Sequence, residues 1–177
     1  MNVFEEIQED FKRELELSTY PGKFQRVAHA LTAPGFQAVL GYRISRWFKR
    51  YRIPLLPVVI QRFMEIWAGV SISPRAEIGS GLVVYHFGGI VINAQTVMGK
   101  DCTLHHGVTI GNRLPGGLSP RLGNRVVIGT GAVLIGDITI GNEVEIGANA
   151  VVLESVPDGG IAVGIPAKVV RTKELRS

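Results

Sequence analysis

Apolar residues recur every three or four places through the first third of the chain. Phe4, Ile7, Phe11 and Leu15 form one stripe between Val3 and Leu17, which predicts an amphipathic helix ending near Ser18. Tyr20-Pro21-Gly22 breaks it. A short helix is expected over 24–31. Another starts at Pro34-Gly35 and carries Val39, Tyr42, Ile44, Trp47 and Phe48. Pro54 and Pro57 interrupt that pattern, because proline suits a helix's first turn rather than its interior. A last helix is expected from Val58 to Trp67, before Gly69.

Beyond Gly69 the period changes to six. An aliphatic residue opens each unit, a glycine often follows, and a small or β-branched residue comes four places after the first. From Leu122 to Pro157 the units LGNRVV, IGTGAV, LIGDIT, IGNEVE, IGANAV and VLESVP run without a slip. An earlier run, ISPRAE, IGSGLV, VYHFGG, starts at Ile72, and Ile90 and Val91 read as two extra residues after it. INAQTV, MGKDCT and LHHGVT follow from Ile92, then IGN from Ile110 and an insertion, RLPGGLSPR, before Leu122. Fixed-period self-similarity marks a solenoid. A six-residue unit is too short for a helix pair and suits one strand and one corner, three units closing a triangular coil. Hairpin signals of an antiparallel fold are absent. The expected organisation is a helical region at 1–69, a β-helix at 70–170 with a projecting loop at 113–121, and a tail at 171–177.

The coil register aligns specific side chains. If Ile72, Ile78 and Val84 open the three sides of the first coil and Ile92, Met98 and Leu104 those of the second, His86 and His106 are each third in their unit on the third side. Ile128 and Ile146 open later third-side units, which adds Thr130 and Ala148. With strands ~4.8 Å apart, this column spans roughly 14 Å. Two imidazoles stand at one end and small side chains at the other, a groove for an extended ligand. His105, next to His106, is expected to face the other way, and His29 falls among the helices.

Composition fits this picture. The 177 residues allow one domain with an appendage. Hydrophobic residues make up 46% and charged residues 19%, which excludes a disordered chain. Glycine is abundant, at 22 residues, and aromatics are only 7%, as tight corners and small inward side chains require. A single cysteine, Cys102, permits no internal disulfide and points to a reducing, cytoplasmic setting. The N-terminus lacks the basic and apolar regions of a signal peptide. The net charge of +4 is dispersed and gives no nucleic-acid footprint. One cluster, Arg43, Arg46, Lys49, Arg50 and Arg52, reads as a solvated helix face or as a contact for anionic lipid or a phosphate-bearing substrate.

These segments resemble a known family. PGFQAVLGYRISRW, then SPRAEIGSGLVVYHFGGIVINAQTVMGKDCTLHHGVTIGN and GIPAKVV, are similar to serine O-acetyltransferases over residues 34–170. YHFGGIVIN and HHGVTIGNR are at least as similar to polysaccharide O-acetyltransferases of the colanic-acid type. The resemblance implies a mainly β fold, a single-stranded left-handed parallel β-helix behind a helical region, although left-handed crossovers are otherwise rare. It also implies acetyl-CoA as a co-substrate, no permanently bound cofactor, and a homotrimer with active sites between subunits, the 113–121 loop reaching over a neighbour's site. His86 takes the place of the family's catalytic base, drawing the proton from the acceptor hydroxyl as it attacks the thioester. Backbone N–H groups at the glycine turns are expected to hold the oxyanion. His106 stands where serine acetyltransferases tend to carry Gln, as an assistant or acceptor contact. Gly111, Thr130, Gly131 and Ala148 fall where the family's backbone lines the CoA arm, and Lys168 could meet a CoA phosphate.

The chain departs from serine acetyltransferases where they orient the base and hold serine. Ser71 and Tyr85 replace two aspartates, and Ser119 replaces a second histidine. An ammonium-bearing acceptor wants a nearby carboxylate, whereas Tyr85 and Trp67 suit the apolar face of a sugar. Ser71 and Tyr85 are therefore candidate substrate contacts, and the expected acceptor is a sugar hydroxyl of a polysaccharide or its precursor, with L-serine as the alternative. A main-chain carbonyl or Asp101 is expected to orient His86. A metal enzyme on this scaffold needs three converging histidines, which adjacent His105 and His106 do not favour. A catalytically dead scaffold is the remaining alternative.

Overall fold

The computed structural model describes residues 2–86 and 88–173, with four helices leading into a left-handed parallel β-helix. The helices are α1 (Val3–Leu17), α2 (Lys23–Thr32), α3 (Pro34–Arg50) and α4 (Leu56–Ala68). Asn2 and Glu5 form a capping box that starts α1. Pro34 begins α3 and Pro57 sits in the first turn of α4, so that helix starts two residues before its expected position.

Each six-residue unit supplies one strand to one of three parallel faces. The first face stacks Val70–Ile72, Ile90–Ile92, Thr109–Gly111, Val133–Ile135 and Val151–Val152. The second stacks Glu77–Ile78, Val97–Met98, Arg121–Leu122 and Thr139–Ile140. The third stacks Val83–Tyr85, Thr103–His105, Val127–Ile128, Glu145–Ile146 and Gly160–Gly164, and ends on the antiparallel strand Ala167–Thr172. Arg171 and Thr172 of the expected tail thus belong to a strand, and 174–177 lie outside the described residues.

Every unit-opening residue points inward. Val84, Leu104, Ile128 and Ile146 stack down the third face, and their counterparts on the other faces are buried with them. Each such aliphatic side chain contributes about 1.5–3 kcal/mol by leaving water. Buried fifth-place residues, among them Ala76, Val126, Ala132, Val144 and Ala150, fill the corners.

The two extra residues are not Ile90 and Val91. Those pair normally, Val70 with Ile90 and Val91 with Thr109. The next coil's Gly107 N–H donates to Gly88 O, whereas one coil later Gly131 N–H donates to His106 O. Gly88 therefore holds the ladder place equivalent to His106, and the excess falls between Tyr85 and Gly88. Periodicity cannot locate an insertion that lies against an aliphatic run such as Ile90-Val91-Ile92, because either frame keeps an apolar residue inward.

The helices close the first coil. Tyr42 joins the buried core and donates to Ala76 O at 2.8 Å. Arg43, fully buried, pairs with Asp10 at 2.8 and 3.0 Å and donates to Ile78 O and Gly79 O, each at 2.7 Å. Asp10 also accepts from Leu82 N–H. A buried ion pair is tolerated when its remaining donors and acceptors are met in this way, and here they meet backbone groups at the exposed start of the solenoid.

Candidate active site

The column expected from the repeat register is present at the corner between the third and first faces. Tyr85 pairs with His105, Leu104 with Ile128 and Ile128 with Ile146, which carries the register on to His106, Thr130 and Ala148. Asn149 N–H donates to Thr130 O, the same link as Gly131 to His106. His86 reaches this column differently. It lies in the two-residue excess with φ of 65°, a left-handed conformation that costs a non-glycine residue about 1–2 kcal/mol. That bend leaves its ring exposed, edge-on to His106 with centroids 5.5 Å apart.

Sequence reasoning missed what braces the bend. Gly35, in the first turn of α3, packs so close to the corner that a Cβ there would collide with Val84 O and lie 3.3 Å from His86 O. Gly88 N–H donates to Ala68 O at the end of α4. Two helix ends thus meet at the histidine corner. A Pro-Gly pair at a helix start was the available signal, though proline alone explains a helix start.

The rings form a wider group than expected. Tyr85 lies 6.5 Å from His86 and 5.3 Å from His105, between ring centroids. His105 is on the outer face of its strand but beside this group rather than turned away from it. Burial, then the neighbouring His86 and His106, lowers its pKa below the usual histidine value. Burial, with a contribution from Glu14, raises that of Tyr85. His106 Nδ1 is buried without a hydrogen-bond partner. No three His, Cys, Asp or Glu side chains among the described residues group as metal ligands.

Thr130, Gly131 and Ala148 lie on the column below the histidines. Val163 pairs with Lys168 and Gly164 with Ala167, so the terminal hairpin closes the column's far end and brings Lys168 to it, exposed and 3.1 Å from Glu154. Gly111 is elsewhere. It ends a strand of the first face, beside Ile135 and across that face from the column. The expected oxyanion donors are engaged as well, since the N–H groups of Gly107 and Gly131 donate to the ladder and that of Gly88 to Ala68 O at the end of α4. Parallel coils need these bonds, which a count of glycines does not reveal.

The serine that stands in place of the missing carboxylate meets a carboxylate from another element. Ser71 Oγ donates to Glu65 Oε1 of α4 at 2.6 Å, and Gln61 donates to both. The Ser71 hydrogen bond, then Arg62 and Gln61, hold the Glu65 carboxyl below the usual range. Glu65 is the sole acidic residue between Leu17 and Ala76, a signal the periodicity leaves unread. Asp101 does not orient His86. It lies at the opposite corner of the third face, against Gly81. The 113–121 segment leaves between the first and second faces, with Leu114 and Leu118 exposed and Ser119 buried, its Oγ unpartnered.

Comparison with known proteins gives a consistent picture. Residues 119–154 match the bacterial transferase hexapeptide family (six repeats). The chain is 42% identical over 142 residues to a serine acetyltransferase of Helicobacter pylori strain J99, covering 79% of this chain and 83% of that one. Against the Synechococcus elongatus serine acetyltransferase it is 35% identical over 148 residues, 82% of this chain but 61% of the relative. Against a putative colanic acid biosynthesis acetyltransferase, WcaB of Escherichia coli K12, it is 42% identical over 142 residues, 74% of this chain and 87% of that one. Two solved structures superimpose with a TM-score of 0.86. They are a Neisseria gonorrhoeae serine acetyltransferase in complex with serine (32% identity, 94% of this chain and 68% of that one) and a serine acetyltransferase in complex with CoA (30%, 95% and 69%). These names favour serine over the sugar acceptor expected from Ser71 and Tyr85.

Proposed function

The chain belongs to the serine acetyltransferase family of hexapeptide-repeat acyltransferases, and from that premise we propose that it transfers the acetyl group of acetyl-CoA to a hydroxyl, with L-serine as the first acceptor. The observation that carries this reading is the His86–His106 pair, 5.5 Å apart, at the head of a column of small side chains. The neutral imidazole of His86 takes the acceptor's proton as its oxygen bonds to the thioester carbonyl carbon. The tetrahedral intermediate then collapses, the C–S bond breaks, and the imidazolium returns the proton to the leaving thiolate. His106 sits beside the base and contacts the acceptor. Thr130, Gly131 and Ala148 line the pantetheine arm and Lys168 meets a phosphate. The oxyanion requires a donor other than the N–H groups of Gly88, Gly107 and Gly131. Gly111, across the first face, fits a donor held between subunits of a homotrimer, where the 113–121 loop reaches a neighbour's histidine corner. The enzyme works in the cytoplasm, with residues 1–69 as its cap.

A sugar hydroxyl is the second reading. Ser71 and Tyr85 in place of carboxylates support it, as does the similarity to WcaB over 87% of that relative. Steady-state assays of CoA release with L-serine and with oligosaccharide acceptors decide between them. Saturable turnover of L-serine supports the first reading. Turnover of the sugar alone replaces it with the second. Loss of either activity in His86→Ala by about 10²–10⁴-fold, with unchanged melting, supports the assigned base. Retained activity removes it.

A further inference from the structure

The helical cap carries a face that the fold does not use. Val59, Phe63, Ile66 and Trp67 recur at three- and four-residue steps on the outer side of α4, and Ile66 is 86% exposed. Leu55, 76% exposed, and Leu56 continue the face at the tip of the α3–α4 hairpin. A contiguous apolar strip of this kind marks an interaction surface, unlike scattered exposed residues.

The charge around it has one sign. From Pro34 to Ala68 the chain has six cations and one acid, Glu65. Arg43 is buried against Asp10, Arg46 donates to Tyr42 and Ala76 O, and Arg62 pairs with Glu65. Lys49, Arg50 and Arg52 remain exposed around the tip. We propose that this face docks on an anionic lipid bilayer, its apolar strip at the acyl boundary and Lys49, Arg50 and Arg52 among the headgroup phosphates.

A second copy of the chain is the poorer partner. The proposed homotrimer joins subunits along the solenoid, where the 113–121 loop reaches a neighbour, and a further two-fold contact between caps would set this cationic tip against itself. Spanning is excluded for the described helices, none of which is long and apolar enough to cross a membrane. An apolar strip edged by cations instead lies in the interface plane. Docking has a consequence for the site. The strip ends at Trp67, beside Ala68, whose carbonyl holds the histidine corner through Gly88. The membrane would bring that corner to headgroup level, within reach of an acceptor held there.

Flotation of the full chain with vesicles tests this. It should float with vesicles containing about one-third phosphatidylglycerol, stay behind with pure phosphatidylcholine, and be released at about 1 M salt. The triple variant Lys49→Glu/Arg50→Glu/Arg52→Glu should bind at least about a hundredfold more weakly. Ile66→Glu should lose binding while retaining turnover of a soluble acceptor. If Ile66→Glu does not fold, quenching of Trp67 by brominated lipid, compared with Trp67→Phe, reports insertion instead. Failure to float with anionic vesicles overturns the proposal, and so does charge-independent binding. A smaller light-scattering mass in Ile66→Glu, with flotation intact, also overturns it by assigning the face to self-association.

Discussion

The later coils and the first coil are built from the same repeat yet stand by different means. From Leu122 to Val156 the units run in unbroken register, and inward aliphatic stacking does almost all the work. The first coil is irregular. It carries two surplus residues at its corner, a histidine in a left-handed conformation, and a lid of helices fastened by Arg43 to main-chain carbonyls and by Asp10 to a main-chain N–H. Regularity supplies a frame of known spacing, and the departures from it supply the exposed histidine corner and the closure.

Breaking the fastening should have the largest effect. Arg43→Ala leaves Asp10 buried without its partner and should cost about 3–5 kcal/mol in urea unfolding. If it costs less than about 1 kcal/mol, the first coil needs no clamp and the contrast with the later coils fails. Removing the irregularity comes next. Deleting residues 86 and 87 restores the six-residue period, so the protein should still fold by circular dichroism while CoA release falls by about 10²–10⁴-fold. Ala148→Leu probes the regular part. Crowding the column should raise KM for acetyl-CoA about tenfold through roughly 1–3 kcal/mol of steric cost, with kcat little changed.

The smallest effect concerns pH. Burial lowers the pKa of His105 in the folded state. Above about 6.5 the residue is neutral whether folded or unfolded and contributes nothing. Below that the unfolded chain binds the proton more readily, so stability declines as pH falls toward the folded pKa. His105→Gln should flatten that decline in melting experiments below about pH 6.5.

Much of this was legible in the sequence, for a reason that also marks where legibility stops. A six-residue hydrophobic period constrains three faces and their register together, so the alignment of His106, Thr130 and Ala148 could be read from spacing. Position 86 could not be placed as securely, because its two surplus residues leave the aliphatic pattern unchanged. Arg43 reads as one more cation on a helix until its carbonyl partners are known. Glu65 likewise meets Ser71 only because α4 folds back over that strand. Absent carboxylates turned the reading toward a sugar where most of the named relatives favour serine, since a sequence reports side chains position by position and not which element delivers them.

One property of the parallel ladder has a consequence for how such an enzyme can diverge. The interval between the imidazoles and the Lys168 hairpin can change only by whole turns, each about 4.8 Å and about 18 residues. The reach available to a thioester is therefore quantised. Point substitutions can tune its walls, but only the gain or loss of a complete winding can lengthen or shorten it.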